Sequence, residues 1–148
     1  LASLHDADER WIVGGPRRSR PSVTWVEDEP AGRGALAGIR AALAAASVDW
    51  VAVVACDMPF VPPGLWPRLL RGAGEARMVV PEGPRGVEPL AGVYHRALMP
   101  EIERRLSEDR RSPRGLLEAH GRIVPWSDLA ATVSPDAFLN ANRPEDLP

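Results

Sequence analysis

The chain contains no lysine and a single cysteine, Cys56, among its 148 residues, and all 18 basic side chains are arginines. One cysteine excludes an internal disulfide bond and is typical of proteins in a reducing cytosol. We interpret the absence of lysine as codon bias in a GC-rich genome, which the abundant alanine, glycine and proline also support. Without lysine the chain cannot contain a Walker phosphate-binding loop, because that loop requires one.

The chain also lacks a strong net charge and a long uninterrupted apolar stretch. Its formal net charge of -2 argues against a protein that coats nucleic acid or carries a polybasic membrane anchor. The region 35–56 is rich in apolar residues, but Arg40 and Asp49 interrupt it, so it predicts a helix followed by a strand. No secretory signal is visible, and we predict a cytoplasmic protein that binds neither nucleic acid nor membrane.

Several residue arrangements that carry catalysis are missing from the sequence. His5, His95 and His120 share no metal-ligand spacing, and no Ser-His-Asp or Cys-His arrangement is recognisable. Cys56 ends an apolar run, and we predict that it is a small core residue rather than a nucleophile.

The composition that remains is that of one soluble globular domain, which we assign to residues 1–148. Apolar residues make up 45% of the chain and charged residues 26%, enough to build a sizeable core. Short apolar strands alternate with helices along the chain, which predicts an α/β domain with a largely parallel sheet. The predicted strands cover residues 11–13, 22–26, 51–55, 78–81, 88–94 and 122–126, and the predicted helices cover residues 39–46, 61–71, 97–106 and 114–120.

One acid, Asp57, follows the most strongly apolar of these strands. Residues 51–55 form a continuous run of valine and alanine, which is typical of a strand buried on both faces. Pro59 ends the run, so Asp57 is expected at the carboxyl end of the strand, where open α/β sheets bind ligands. The residues alone leave two interpretations open: a ligand-binding or metal-binding carboxylate, or a loop acid that stabilises a turn.

Two glycine-containing loops are the other candidates for ligand contacts. Residues 32–38 lead into a predicted helix, and free backbone N–H groups at such a position can bind an anion or the edge of a nucleotide. The glycine spacing matches neither a Walker loop nor a dinucleotide fingerprint. Gly14 belongs to a Gly-Gly-Pro sequence after the first strand, which indicates a tight turn first and a ligand edge second.

Four motifs together resemble those of the molybdenum cofactor guanylyltransferase family, in the larger nucleotide-diphosphosugar-transferase-like fold. In chain order they are Gly-Ala-Leu-Ala-Gly at 34–38, Cys-Asp-Met-Pro at 56–59, Glu-Pro-Leu-Ala at 88–91 and the closing stretch 136–147. The closing stretch, with Phe-Leu-Asn-Ala-Asn-Arg-Pro, is the most distinctive of them. The resemblance implies a three-layer α/β/α, Rossmann-like domain with a mostly parallel sheet.

The resemblance also implies a reaction and its ligands. GMP would pass from GTP to molybdopterin, with release of pyrophosphate, in the synthesis of molybdopterin guanine dinucleotide. Asp57 matches the catalytic, magnesium-binding acid of the family, and Asn140 would give Mg²⁺ a second oxygen ligand. Asn140 and Asn142 match acceptor-binding residues, although both could instead cap a helix that begins near Pro144. The implied nucleotide-binding residues are Gly14 (through its backbone alone), Asp28, Gly34, Leu36, Gly38 and Asp57.

The chain departs from the family pattern at its beginning. Family members open with a strand and a glycine-rich loop that carries an arginine and a lysine, and neither is present here. We therefore expect an N-terminally incomplete domain that lacks about one βα unit, roughly 30 residues. A fragment of a working enzyme, a non-catalytic relative and a site completed by a partner chain all fit this pattern.

Three other functions stay open at this point. The chain could be a related cytidylyltransferase, or a nucleotidyltransferase for another small phosphorylated acceptor. It could also be a binding or adaptor protein for molybdoenzymes or cofactor-carrier proteins, because the phosphate-binding loop is absent.

Overall fold

The computed structural model describes residue 4 and the ranges 7–15, 23–27 and 34–141. Its strands are β1 (Trp11–Val13), β2 (Thr24–Val26), β3 (Trp50–Val54), β4 (Met78–Gly83), β5 (Gly86–Val87), β6 (Ala91–His95) and β7 (Gly121–Val124). Its α-helices are α1 (Ala35–Ala45), α2 (Leu65–Arg71), α3 (Met99–Ser107), α4 (Arg114–His120) and α5 (Trp126–Leu129), and single 3₁₀ turns cover Arg96–Leu98 and Pro135–Phe138. None of these helices is both long enough and apolar enough to cross a membrane.

The main sheet has the strand order β3-β6-β4-β5, and β7 also pairs with β4. Strands β3, β4 and β7 point the same way, because β4 and β7 are parallel and β6 is antiparallel to both β3 and β4. The predicted parallel arrangement therefore holds for these three strands, and β6 departs from it. β6 is antiparallel to β4 because only a hairpin and a short turn connect the two strands, and a parallel connection needs a crossover of about a dozen residues. A separate parallel pair is formed by β1 and β2.

Two apolar cores cover opposite faces of the main sheet, which makes the domain three-layered. Successive side chains of a strand point to opposite faces: in β4, Met78 and Val80 pack into one core and Val79 packs into the other. The first core contains the buried face of α1 together with residues of α3 and α4, and the second contains residues of α2 and α5. This double coverage explains why the successive residues Met78, Val79 and Val80 of β4 are all fully buried.

Several boundaries differ from those expected. Helix α1 begins at Ala35 rather than at residue 39, so Gly38 lies inside the helix and not in a loop. The buried positions Leu36, Ile39 and Leu43 follow the helical period, and their burial stabilises this earlier start. Residues 88–90 form a turn before β6, closed by a hydrogen bond from the Ala91 amide to the Glu88 carbonyl oxygen (3.1 Å).

The prediction that Cys56 is a core residue is wrong. The chain leaves the sheet at Val54, one residue earlier than expected, and Cys56 lies exposed in the turn that follows. The apolar run continues past the last residue that pairs with β6, and composition alone does not show where pairing stops.

Candidate functional site

The carboxyl ends of β3 and β4 lie at one edge of the sheet, and Asp57 is in the turn that follows β3. Two backbone hydrogen bonds hold this turn: the Ala55 amide donates to the Leu90 carbonyl oxygen (2.8 Å), and the Met58 amide donates to the Ala55 carbonyl oxygen (3.1 Å). Asp57 is half-buried, and its carboxylate makes no hydrogen bond or ion pair with the described residues. The carboxylate is therefore available to a ligand.

The segment around Asn140 lies beside Asp57. The amide of Ala141 donates a hydrogen bond to the carbonyl oxygen of Asp57 across 2.7 Å, and Asn140, its neighbour in the chain, is exposed. Two of the residues predicted for the metal and the acceptor thus belong to segments that the fold joins directly. Asn142, the other predicted acceptor residue, lies outside the described residues.

A tightly packed turn holds this segment on the end of β4. The turn begins at Ser134, whose hydroxyl oxygen accepts a hydrogen bond from the Asp136 amide (3.2 Å). The Phe138 side chain is only 3% exposed and packs against Gly83, and the Arg85 guanidinium donates to the Phe138 carbonyl oxygen (3.3 Å).

The first turn of α1 is the predicted anion-binding position, but some of its backbone N–H groups already have hydrogen-bond partners. Gly34 precedes the helix with φ +81° and ψ -176°, a conformation that is essentially restricted to glycine. The Leu36 amide donates to the Arg111 carbonyl oxygen (3.3 Å), and the Ala37 amide donates to the Gly34 carbonyl oxygen (3.2 Å). The expectation of free amides in this loop is therefore wrong for Leu36 and Ala37.

The structure describes three of the other residues that were predicted to contact the nucleotide. The side chain of Leu36 is fully buried in the core, and Gly38 faces Val13 of β1 from inside α1. Gly14 has φ +73°, and its amide donates to the Val26 carbonyl oxygen (3.0 Å), which joins the ends of β1 and β2. Asp28 lies outside the described residues. Contacts of these residues with a nucleotide stay predictions.

Three arginines at this edge were not identified as site residues from the sequence. Arg85 follows β4, Arg114 begins α4, and Arg111 lies against Gly34, where a Cβ atom on the glycine would be 3.4 Å from the arginine Cβ. A signal for Arg111 and Arg114 existed in the arginine-rich stretch 110–114, but such a stretch is usually a solvated loop.

One carboxylate lies among these arginines. Glu88 is half-buried, and burial raises the pKa of its carboxyl group, although the positive charges of Arg85 and Arg114 oppose that rise. The edge therefore combines guanidinium groups with two carboxylates, those of Asp57 and Glu88. Such an edge can bind a polyanionic ligand and a divalent cation together.

The available ligands fit Mg²⁺ better than a metal that needs a full protein cage. No group of three or more histidine, cysteine, aspartate or glutamate side chains comes together within the described ranges. Mg²⁺ is commonly bound through one or two carboxylates plus substrate phosphates and water, and the unpartnered carboxylate of Asp57 is a ligand of that kind.

Residues 1–123 match the model of the family described as the MobA-like NTP transferase domain. The chain belongs to this family. The family assignment agrees with the four motifs, and it makes the domain a member of a group of nucleotidyltransferases.

Proteins of known name and structure support this assignment. The chain is 34% identical to a probable molybdenum cofactor guanylyltransferase of Deinococcus radiodurans, over 99% of this chain and 75% of that protein. It is also 34% identical to the molybdenum cofactor guanylyltransferase of Vibrio vulnificus, over 77% of this chain and 57% of that protein. The structure of molybdopterin-guanine dinucleotide biosynthesis protein A from Archaeoglobus fulgidus is similar, with a TM-score of 0.69, 28% identity, and coverage of 83% of this chain and 64% of that one. The predicted nucleotidyltransferase-type α/β/α fold is confirmed.

Proposed function

We propose that the protein transfers GMP from GTP to the terminal phosphate of molybdopterin. An oxygen of the acceptor phosphate attacks the α-phosphorus of GTP, the new P–O bond forms, and the bond from the α-phosphorus to the bridging oxygen breaks. Pyrophosphate leaves, and the product is molybdopterin guanine dinucleotide. The observation that carries this proposal is the direct contact between the Asp57 turn and the Asn140 segment, in a chain of the MobA-like family.

The main physical difficulty of this reaction is that two anions must meet. Bound Mg²⁺ would neutralise phosphate charge and align the reacting groups. Asp57 would hold the cation with its carboxylate, and Asn140 would add a neutral oxygen from the acceptor side. The half-buried position of Asp57 strengthens its interaction with a cation, because surrounding protein replaces part of the screening water.

Arginine side chains would supply the remaining positive charge. Guanidinium groups bind phosphate oxygens through paired N–H donors, so Arg85, Arg111 and Arg114 suit a site for two phosphorylated substrates. Arg111 pairs with Asp109 at 2.8 Å on an exposed surface, an interaction weak enough to be exchanged for a phosphate. Glu88 would hold Arg85 and Arg114 by charge attraction.

The nucleotide would occupy the side of the edge formed by the start of α1 and the end of β1. Gly14 and Gly34 have positive φ angles and no side chain, so the backbone there can approach the ligand closely. Asp28 would accept hydrogen bonds from the base or the ribose, and Asn142 would complete the acceptor side. The product would then pass to molybdoenzymes or to cofactor-carrier proteins.

The test is a transfer assay with the full-length protein, molybdopterin, Mg²⁺ and either GTP or CTP. We expect pyrophosphate release and a guanine dinucleotide product with GTP, and a large preference for GTP over CTP. A preference for CTP would identify a cytidylyltransferase instead. Absence of transfer with both nucleotides, together with retained binding of a molybdoenzyme, would identify an adaptor protein.

A further inference from the structure

We propose that Gly83 and Phe138 form a contact that positions the acceptor side of the site, with Arg85 as its third member. We name these three residues the hairpin clamp, because Gly83 ends β4 and Arg85 lies in the two-residue turn between β4 and β5. Gly83 and Phe138 act through Asn140 and Asp57, so they are positioning residues, whereas Arg85 also has the phosphate-binding role proposed above. The inference rests on the proposed function, because the acceptor role of Asn140 belongs to that function.

The first part of the clamp is a close contact between a ring and the backbone. A Cβ atom on Gly83 would lie 2.8 Å from Cδ2 of Phe138, closer than real Cβ atoms approach, and 3.3 Å from its Cγ. The Phe138 ring is almost fully buried in the core that lies on the α2 and α5 side of the sheet. Only glycine at position 83 leaves room for the ring in this place.

The second part is a polar contact at the same residue. The Arg85 guanidinium donates a hydrogen bond to the Phe138 carbonyl oxygen at 3.3 Å. The side chain and the carbonyl of Phe138 are therefore both held by the β4–β5 hairpin. Two contacts at one residue fix the direction of the chain as well as its position.

The clamp is connected to the metal side of the site over a short distance. Two residues, Leu139 and Asn140, lie between Phe138 and Ala141, so the three residue steps span at most about 11 Å. At the end of that span the Ala141 amide donates to the Asp57 carbonyl oxygen at 2.7 Å. Asn140 thus lies between two fixed points, the buried ring of Phe138 and the backbone of Asp57.

This arrangement predicts a specific kinetic effect. If Phe138 moves, Asn140 and the Ala141–Asp57 contact move with it, whereas α1 and its Gly34 loop pack in the other core and are not displaced. Acceptor binding should therefore weaken much more than nucleotide binding. Misplacement of a binding group by about 1 Å lowers rates by about 100-fold in enzymes, so an effect of about tenfold is readily measured.

The test uses Gly83→Ala in the full-length protein, with Gly64→Ala as the matched control. Gly64 has φ -65° and ψ -10°, and no atom lies within 4 Å of a Cβ added there, so alanine fits without strain. We expect Gly83→Ala to raise KM for molybdopterin about tenfold and to change the calorimetric Kd for GTP less than twofold. Equal weakening of both substrates, or of neither, would overturn the proposal.

A second variant separates the clamp from a general loss of stability. Leucine is smaller than phenylalanine and its branched end can turn away from an added methyl group, so Phe138→Leu should partly restore acceptor KM in the Gly83→Ala background. Failure of this rescue would mean that the effect of Gly83→Ala does not pass through the Phe138 ring.

Hydrogen exchange at the Ala141 amide tests the clamp without any transfer activity. We expect Gly83→Ala to accelerate this exchange about tenfold or more, because the hydrogen bond to Asp57 opens more often. The control Gly64→Ala should leave it unchanged. If the wild-type protein showed no guanylyl transfer but the exchange result held, the proposed function would fail and the clamp would stand. Unchanged exchange in Gly83→Ala would overturn the clamp itself.

Discussion

The amide of Ala141 and the carbonyl oxygen of Asp57 are joined by a hydrogen bond of 2.7 Å, which links the turn after β3 to the last described residue of the chain. The bond uses the backbone of Asp57 and leaves its carboxylate without a partner among the described residues. A carboxylate positioned in this way is suited to a divalent cation. The contact also brings the segment that contains Asn140 against the turn that contains Asp57.

Substitution of Asp57 by asparagine should abolish most of the transfer activity. The amide keeps the size of the side chain but loses the negative charge that attracts Mg²⁺, so we expect kcat/KM to fall by about 100-fold or more. Pyrophosphate release at saturating Mg²⁺ measures this. Asp49→Asn is the control, because Asp49 is an exposed aspartate at the opposite end of β3. Equal activity of the two variants would remove Asp57 from the metal site.

Substitution of Gly34 by alanine should destabilise the protein. The backbone there has φ +81° and ψ -176°, and residues other than glycine reach this region at a cost of about 1–3 kcal/mol. The added Cβ would also lie 3.4 Å from the Cβ of Arg111. Urea denaturation measures the loss, and Gly64→Ala should change the free energy of unfolding by less than about 0.5 kcal/mol. If Gly34→Ala unfolded at the same urea concentration as the wild-type protein, the expected backbone strain at position 34 would be wrong.

The buried tyrosine Tyr94 should make the protein sensitive to alkaline pH. Its hydroxyl donates to the Pro89 carbonyl oxygen at 2.5 Å, and burial raises the pKa of the phenol well above its ordinary value of 10. Above pH 10 the unfolded chain loses the phenol proton while the folded chain keeps it. The contribution of Tyr94 to the free energy of unfolding should therefore be complete below pH 10 and should decrease as the pH rises further.

Two measurements check the tyrosine prediction. Tyr94 is the only tyrosine in the chain, so the tyrosinate absorbance comes from Tyr94 alone. The chain has no lysine, so few other side chains change their protonation in the same alkaline range. Tyr94→Phe should cost about 1 kcal/mol at neutral pH through the lost hydrogen bond, and should flatten the decline in stability above pH 10. Ionisation of Tyr94 near pH 10 in the folded wild-type protein would count against the buried, hydrogen-bonded phenol.

The exposed thiol of Cys56 provides a probe of the site that does not depend on turnover. Because Cys56 is exposed and adjacent to Asp57 in the same turn, iodoacetamide should label it in the native protein nearly as fast as in denaturant. GTP, Mg²⁺ and molybdopterin together should slow the labelling severalfold. The Cys56→Ser variant gives the background, and labelling that substrates leave unaffected would place the site elsewhere.

Much of the local structure could be predicted from the residues. The limits of β1 and α4 agree with the prediction, because apolar runs and helix formers act over short distances. The stripe of Leu98, Ile102 and Leu106 packs into the core as the helical period indicates. Asp57 was expected just past the end of its strand, and it lies there.

Other features depended on residues that are far apart in the chain. The exposure of Cys56 follows from where pairing between β3 and β6 stops, and these strands are about 40 residues apart. Neither local composition nor periodicity contains this information, because both describe a residue and its near neighbours.

The sequence by itself determined the elements, the apolar character of the strands and the motifs that indicate the MobA-like family. Only the tertiary structure decided three contacts between distant residues. The Leu36 amide donates a hydrogen bond to the Arg111 carbonyl oxygen, and the Ala141 amide donates one to the Asp57 carbonyl oxygen. The Phe138 ring packs against Gly83. Secondary structure follows from short-range propensity and hydrophobic period. A site at the edge of a sheet arises where distant segments meet, and packing of the whole core decides which segments those are.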